Sequence, residues 1–205
     1  MSDVKSVGGL LLAGGSSSRM GRPKQLLPIG EQSLLSLAVE HALASKLDPV
    51  VVVLGHRADD VRKSLERYSD NPKLFIAINP AYREGMSESL KKGIEILQRY
   101  PVAGALILLG DQPRVTTAVI DRLVERFIES DKLICKPVYG KESGNPVLFG
   151  RSLFPDLLRV YGDQGGRDIV RAHSDEVLRV VFPDPQTGID IDTPEAYQKY
   201  LQDLE

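Results

Sequence analysis

The sequence predicts an α/β fold, three layers deep, with a mostly parallel sheet and a small hairpin excursion in its second half. Two patterns predict it. Short apolar runs alternate with segments of helical spacing along most of the chain, the order expected of right-handed βαβ units. The runs are apolar at successive positions, which suits strands covered by helices on both faces. A third observation sets the extent. The 205 residues contain no internal repeat, low-complexity tract or Pro/Gly-rich linker, and are read as a single domain, 1–205.

The first strand is read at Val7–Ala13, and further strands at Val50–Leu54, Leu74–Ile78 and Ala105–Leu109. Between them, Leu34, Leu35, Ala38 and Ala42 share a helical face, as do Val61 and Leu65, and then Leu90, Ile94 and Leu97. Val119, Ile120, Leu123, Val124 and Phe127 mark a fourth helix. After Leu133–Cys135 the rhythm changes. Two apolar pieces within Lys136–Phe149 flank Tyr139-Gly140-Lys141-Glu142-Ser143-Gly144, which reads as a hairpin. Helices near Arg151–Tyr161 and Asp168–His173 follow, separated by a glycine-rich turn, and then a strand near Val177–Phe182. The last helix begins after Thr193, a good N-cap residue, with Pro194 suited to the first helical position.

Composition excludes several classes of function. Charged residues make up 26% and hydrophobic residues 42%, ordinary values for a globular chain. Lys and Arg number 26 against 28 Asp and Glu, a net charge of −2, which leaves no concentrated positive field for nucleic acid or an anionic membrane. The single cysteine, Cys135, excludes an intrachain disulfide and a multi-cysteine metal site, and reads as a core residue. His41, His56 and His173 stand at no metal-ligand spacing. Apolar stretches such as Val7–Gly15 fall short of the roughly 20 residues that cross a bilayer. Asp3 and Lys5 ahead of Val7–Ala13 argue against a signal peptide, so a soluble cytoplasmic protein is expected.

In an open parallel sheet, ligands bind beyond the carboxyl ends of the strands. Four polar, glycine-bearing loops follow the first four strands here. The first is Gly14-Gly15-Ser16-Ser17-Ser18-Arg19-Met20-Gly21-Arg22-Pro23-Lys24. Its glycines allow backbone N–H groups to face an oxyanion, and Arg19 and Lys24 add a planar fork and a compact ammonium suited to phosphate. It matches neither a Walker P-loop nor G-x-G-x-x-G, and a solvated turn is the plain alternative. Strand two ends in Gly55-His56-Arg57, where His56 could touch a ligand. Gly85-Met86-Ser87-Glu88-Ser89 opens a helix whose first N–H groups, with Ser87 and Ser89, are expected to face the rim and hold part of a nucleotide; Ser87 as a simple cap is the alternative. Gly110-Asp111-Gln112-Pro113 presents a carboxylate that could take Mg²⁺ or form an Asx-turn. Asp190 and Asp192 share one face of an extended segment, with Asp192 preferred as a second metal ligand and Asp190 as its neighbour. No Gly-x-Ser-x-Gly elbow is present, which disfavours an α/β-hydrolase.

Leu12-Ala13-Gly14-Gly15-Ser16-Ser17-Ser18-Arg19-Met20-Gly21 with Lys24 resembles the signature of the MobA-like nucleotidyltransferases. Gly85–Leu90, Gly110–Pro113, Gly144–Phe149, Gly162–Arg167 and Asp190–Tyr197 resemble the molybdenum cofactor cytidylyltransferase branch of that family. The resemblance implies a Rossmann-like fold of the nucleotide-diphospho-sugar transferase type. It implies transfer of CMP from CTP to the terminal phosphate of molybdopterin, with release of pyrophosphate, and delivery of the product to an enzyme such as xanthine dehydrogenase. By the same resemblance, Leu12, Ala13, Gly14, Gly15, Arg19 and Lys24 hold the triphosphate, Gly85, Ser87, Ser89 and Gly110 lie about the nucleotide, and Asp111 and Asp192 hold Mg²⁺. Gly14 departs from the cytidylyl pattern, which more often has Ala there, so GTP stays open beside CTP. Other small-molecule acceptors and a non-catalytic role as cofactor carrier are the rival readings. The chemistry itself requires no side-chain nucleophile, because an acceptor phosphate already is one.

Overall fold

A computed structural model of the chain describes residues 6–15 and 23–204. Ten strands alternate with seven helices among these residues. The strands are β1 (Val7–Ala13), β2 (Pro28–Ile29), β3 (Gln32–Ser33), β4 (Leu47–Leu54), β5 (Leu74–Ile78), β6 (Gly104–Leu109), β7 (Ile134–Tyr139), β8 (Glu142–Ser143), β9 (Val147–Gly150) and β10 (Val177–Phe182). The helices are α1 (Leu34–Leu43), α2 (Ala58–Lys63), α3 (Met86–Leu97), α4 (Thr117–Ile128), α5 (Phe154–Leu157), α6 (Arg167–Ala172) and α7 (Pro194–Gln202).

The main sheet runs β10-β7-β9-β6-β1-β4-β5, with β8 paired to β7. All of its pairings are parallel except those of β9 with β6 and β7, and of β8 with β7. The expected hairpin excursion is therefore present, and β9 returns from it to lie between β6 and β7. Alternation along β1 shows why both faces are covered. Leu11 and Ala13 pack with Leu35 and Val39 of α1, Val61 of α2 and Ile120 of α4. Leu10 and Leu12 pack with Leu90, Ile94 and Leu97 of α3, Phe154 of α5 and Ile169 of α6. Each such leucine or isoleucine contributes about 1.5–3 kcal/mol on burial. Cys135 is buried in the first of these clusters, and burial pushes its thiol up to about 12.

From β1 the chain steps to β4 and β5 on one side, while β6 lies on the other side of β1. The loops after β1 and β6 therefore leave in different directions and open a crevice at the carboxyl edge of the sheet. A third apolar cluster seats α7 against the β2–β3 hairpin through Leu27, Ile29, Leu34, Ile191, Tyr197 and Tyr200.

The structure corrects two local expectations. The helix expected near Arg151–Tyr161 is a 3₁₀ turn at Arg151–Leu153 followed by the four-residue α5. Pro155 supplies the reason: its ring clashes with the carbonyl four residues back, so one α-helix cannot run through both pieces. The β2–β3 hairpin was not anticipated. Among the described residues, no helix is long and apolar enough to cross a membrane.

Candidate active site

The crevice is a cleft of about 660 Å³. Its floor is the end of β1 and the turn beyond it, Leu12, Ala13, Gly14 and Gly15; Lys24 stands beside them, Gly110 and Asp111 close one side, and Gly85 and Ser89 the other. Arg19, expected in the first loop, lies outside the described residues.

Backbone contacts hold this rim together. The Gly110 N–H donates to the Leu12 carbonyl (3.2 Å) and the His56 N–H to the Gly14 carbonyl (3.2 Å), so the loops after β1, β4 and β6 share an edge. Gln25 fixes the first loop from below. It is 3% exposed, and its side-chain amide donates to the carbonyls of Ala13 (3.1 Å) and Gly15 (2.9 Å). With both carbonyls held, the turn keeps one shape at the cleft.

Three charged residues distant in sequence meet at the end of this edge. The Ile191 N–H donates to the Asp111 carbonyl (2.9 Å), which lays the segment before α7 alongside the loop after β6. Thr193 caps α7 by accepting from the Ala196 N–H (3.2 Å), with Pro194 in its first turn. Asp192 is thereby carried to Lys24, whose ammonium bonds Asp192 Oδ1 (2.8 Å) and Asp111 Oδ2 together. Burial alone would lower the Lys24 pKa; the two carboxylates outweigh it and hold it above the ordinary lysine value. Asp190 stays close by, its carboxyl pushed up to about 6 by desolvation and by the charges of Asp111 and Asp192.

The donor set fits a hard divalent cation. Asp111 Oδ2 and Asp192 Oδ1 already converge on one positive charge, and Asp111 Oδ1 is buried with no hydrogen-bond partner among the described residues. Two carboxylates, with substrate oxygens completing the shell, are the manner in which Mg²⁺ is usually held. No group of three or more metal-ligating side chains occurs among the described residues.

The helix after β5 differs from expectation. Ser89 does line the cleft and accepts from the Asn79 side-chain amide (3.0 Å). Ser87 does not: it is fully buried behind the wall. The first N–H groups of α3 are also engaged within the protein. Met86 N–H donates to Asp163 Oδ1 (3.0 Å) and Ser87 N–H to the Gly162 carbonyl (3.0 Å). The cap thus comes from a loop 77 residues away, a partner that local sequence cannot reveal. Gly85 permits the approach, with φ +117° and an absent Cβ that would fall 2.6 Å from the Gly162 carbonyl oxygen.

Sequence reasoning also missed Tyr82, Gln25 and Asp163 as cleft residues; His56 stands at the cleft wall, with Nδ1 3.5 Å from the Tyr82 hydroxyl. Tyr82 stands three residues before Gly85, and that nearness was the available signal for it.

The MobA-like NTP transferase domain matches residues 9–177. Among characterised relatives, the chain is 30% identical to the nicotine blue oxidoreductase of Paenarthrobacter nicotinovorans, over 97% of this chain and 98% of that one. It is 28% identical to the purine catabolism protein PucB of Bacillus subtilis, over 92% and 93% of the two chains. It is 24% identical to the molybdenum cofactor cytidylyltransferase of Escherichia coli, over 92% of each. Among solved structures, Rv0371c of Mycobacterium tuberculosis superposes with a TM-score of 0.82 at 28% identity, covering 96% of this chain and 97% of that one. The manganese complex of Rv0371c superposes at 0.77, with 26% identity over 96% and 98%.

Proposed function

The chain belongs to the MobA-like NTP transferase family and is a nucleotidyltransferase; on that footing we propose that it transfers CMP from CTP to the terminal phosphate of molybdopterin. The observation that carries the reading is the meeting of Lys24, Asp111 and Asp192 at one end of a glycine-floored cleft. The likeness to the E. coli cytidylyltransferase supports the choice of cofactor chemistry.

In this reading the Gly14–Gly15 turn, held by Gln25, receives the triphosphate, and Lys24 and Arg19 supply positive charge to it. Ser89 and Gly85 border the nucleoside. Asp111 and Asp192 would hold Mg²⁺, which when bound offsets charge on the phosphates. An acceptor phosphate oxygen bonds to the α-phosphorus; the bond from that phosphorus to the bridging oxygen breaks, and pyrophosphate leaves with the electron pair. The protein positions the two phosphates in line and meets the charge with preorganised groups. All of residues 1–205 are taken as one domain for this task, since α7 lies beyond the matched region yet brings Asp192 to Lys24. Delivery of the product to a molybdenum hydroxylase, of which xanthine dehydrogenase is an example, completes the proposal.

GTP stays as a second reading because Gly14 stands where the cytidylyl pattern more often has Ala. A Cβ on Gly14 would fall 2.8 Å from Ser89 Oγ, so glycine here leaves Ser89 in its present place, and an alanine would displace it. Thermal shift with CTP, GTP, ATP and UTP, each with and without Mg²⁺, separates the bases by mass action. Selective Mg²⁺-dependent stabilisation by CTP, with pyrophosphate release only when molybdopterin is added, is the expected result. Selective response to GTP, or pyrophosphate release independent of molybdopterin, overturns it.

A further inference from the structure

Asn79 directly follows β5 and is 4% exposed. A buried amide finds its hydrogen-bond partners inside the protein. The Asn79 backbone N–H donates to the Leu54 carbonyl at the end of β4 (2.8 Å). Its side chain faces two ways: Oδ1 accepts from the Ala81 N–H (3.0 Å), and Nδ2 donates to Ser89 Oγ (3.0 Å). The three contacts tie the ends of β4 and β5 to α3 behind the cleft wall.

The contact with Ala81 fixes the sense of the contact with Ser89. A backbone N–H only donates, so the atom it meets is the amide oxygen, and the atom turned to Ser89 is the amide nitrogen. That nitrogen only donates in turn, so Ser89 Oγ accepts. A serine hydroxyl has one proton and two lone pairs. With a lone pair engaged by Asn79, the proton points elsewhere, and no acceptor takes it among the described residues. Ser89 lines the cleft and is itself 4% exposed, so water has little access to the hydroxyl. A Cβ on Gly14 would fall 2.8 Å from Ser89 Oγ, which sets the hydroxyl against the glycine turn that ends β1. A buried donor without a partner is costly, and an acceptor atom on a ligand relieves it.

We propose that Asn79 is a positioning residue for nucleotide binding: it compels Ser89 to act as a hydrogen-bond donor toward the cleft, where the serine meets an acceptor atom of the bound nucleotide. The proposal rests on the nucleotidyl-transfer reading above and adds a residue that does not itself line the cleft. Asn79 touches no substrate; it sets the polarity of the hydroxyl that does.

The test is a double-variant cycle on nucleotide affinity. The full-length protein is titrated calorimetrically with CTP, GTP, ATP and UTP in the presence of Mg²⁺, and the tightest of the four is carried through the cycle. Ser89→Ala removes the donor and is expected to weaken binding about three- to tenfold, the net worth of one hydrogen bond. Asn79→Asp keeps an oxygen for the Ala81 N–H but turns a second acceptor to Ser89, which draws the hydroxyl proton away from the cleft. Asn79→Ser adds no charge and can still accept from Ala81, but ends short of Ser89. Each change at Asn79 is expected to weaken binding severalfold when Ser89 is present, and to have no further effect once Ser89 is alanine. Melting of the unliganded proteins identifies the folded variants, and the Asn79→Ser cycle decides if Asn79→Asp does not fold. A purely structural Asn79, or simple repulsion by the new carboxylate, would weaken binding equally with and without Ser89. That result overturns the proposal, as does unaltered affinity in Ser89→Ala or in both Asn79 variants. Pyrophosphate release from CTP and molybdopterin by wild type is measured separately. Its absence overturns the reaction proposed above, while the affinity cycle still decides the role of Asn79.

Discussion

Lys24 holds together two carboxylates that would otherwise repel each other in a half-buried setting. Lys24→Met is therefore expected to melt below wild type in EDTA, with the gap closing as millimolar Mg²⁺ or Mn²⁺ is added, because a cation that binds the folded state stabilises it by mass action. Melting curves of the two proteins across a metal titration check this, and a gap indifferent to metal would count against a shared cation position. In catalysis the same change is expected to lower kcat/KM by more than about tenfold, about 1.4 kcal/mol. Asp111→Asn should abolish metal-dependent turnover with its melting profile retained. Gln25 acts differently. Replacing it with Leu leaves the Ala13 and Gly15 carbonyls without their shared donor. A loss of about 1–3 kcal/mol in stability and a raised KM for the nucleotide are expected, measurable by denaturant unfolding and steady-state kinetics. Asp111, Asp192 and Lys24 were legible in the sequence because charge after an apolar strand, or beside a helix start, is a local pattern. Gln25 was not, since its partners are backbone carbonyls 10 and 12 residues away, and a lone polar residue carries no periodicity to reveal them.

At the level of elements, legibility follows the apolar runs. β1, β5 and β10 fall where the apolar runs place them, and β4 and β6 depart only in beginning earlier; β1 and β6, covered on both faces, carry an unbroken run of glycine, alanine and aliphatic residues, whereas the edge strands β5 and β10 are partly exposed. The short pieces depend on distant contacts. The β2–β3 hairpin has two residues per strand joined at Gly30, whose φ is +58°, and Leu27 and Ile29 pack it against α7. The amino end of α3 is capped by Asp163, and no local reading could supply that partner. The α1–α4 pair offers a test of how such packing depends on pH. Thr117 donates its hydroxyl to the His41 carbonyl (3.0 Å), joining the two helices. Burial lowers the His41 pKa below 6.5, with Glu40 opposing in part. The folded state thus binds this proton less readily than the unfolded chain does, so the contribution is complete above pH 6.5 and is lost as pH falls through the folded value. His41→Leu should flatten the decline in Tm between pH 7 and pH 5, and equal slopes for both proteins would exclude this histidine as the cause.

Across the whole molecule, the site exists because the end of the chain is fastened to its beginning. Asp192 sits just ahead of α7, and the helix reaches the β2–β3 hairpin through Tyr197 and Tyr200, both buried. The Tyr197 hydroxyl donates to the Pro28 carbonyl (2.5 Å), a contact spanning 169 residues. Arg114, which follows the Asp111 loop, pairs with Asp203 (2.5 Å) and lies over the Tyr200 ring at 5.4 Å. These contacts and the Ile191–Asp111 backbone bond hold Asp192 at Lys24, although α7 contributes no residue to the cleft itself. Two substitutions separate anchoring from chemistry. Tyr197→Phe removes the hydrogen bond to the Pro28 carbonyl and keeps the ring, so a cost of about 0.5–1.5 kcal/mol is expected with little change at Asp192. Tyr197→Ala empties part of the third apolar cluster, at a cost of about 3–5 kcal/mol, and frees α7 from the hairpin. If α7 positions the second carboxylate, the alanine variant should need a higher divalent-metal concentration for half-maximal stabilisation, whereas the phenylalanine variant should match wild type. Calorimetric melting across a metal titration distinguishes the two, and an alanine variant with unaltered metal dependence would assign α7 to stability alone.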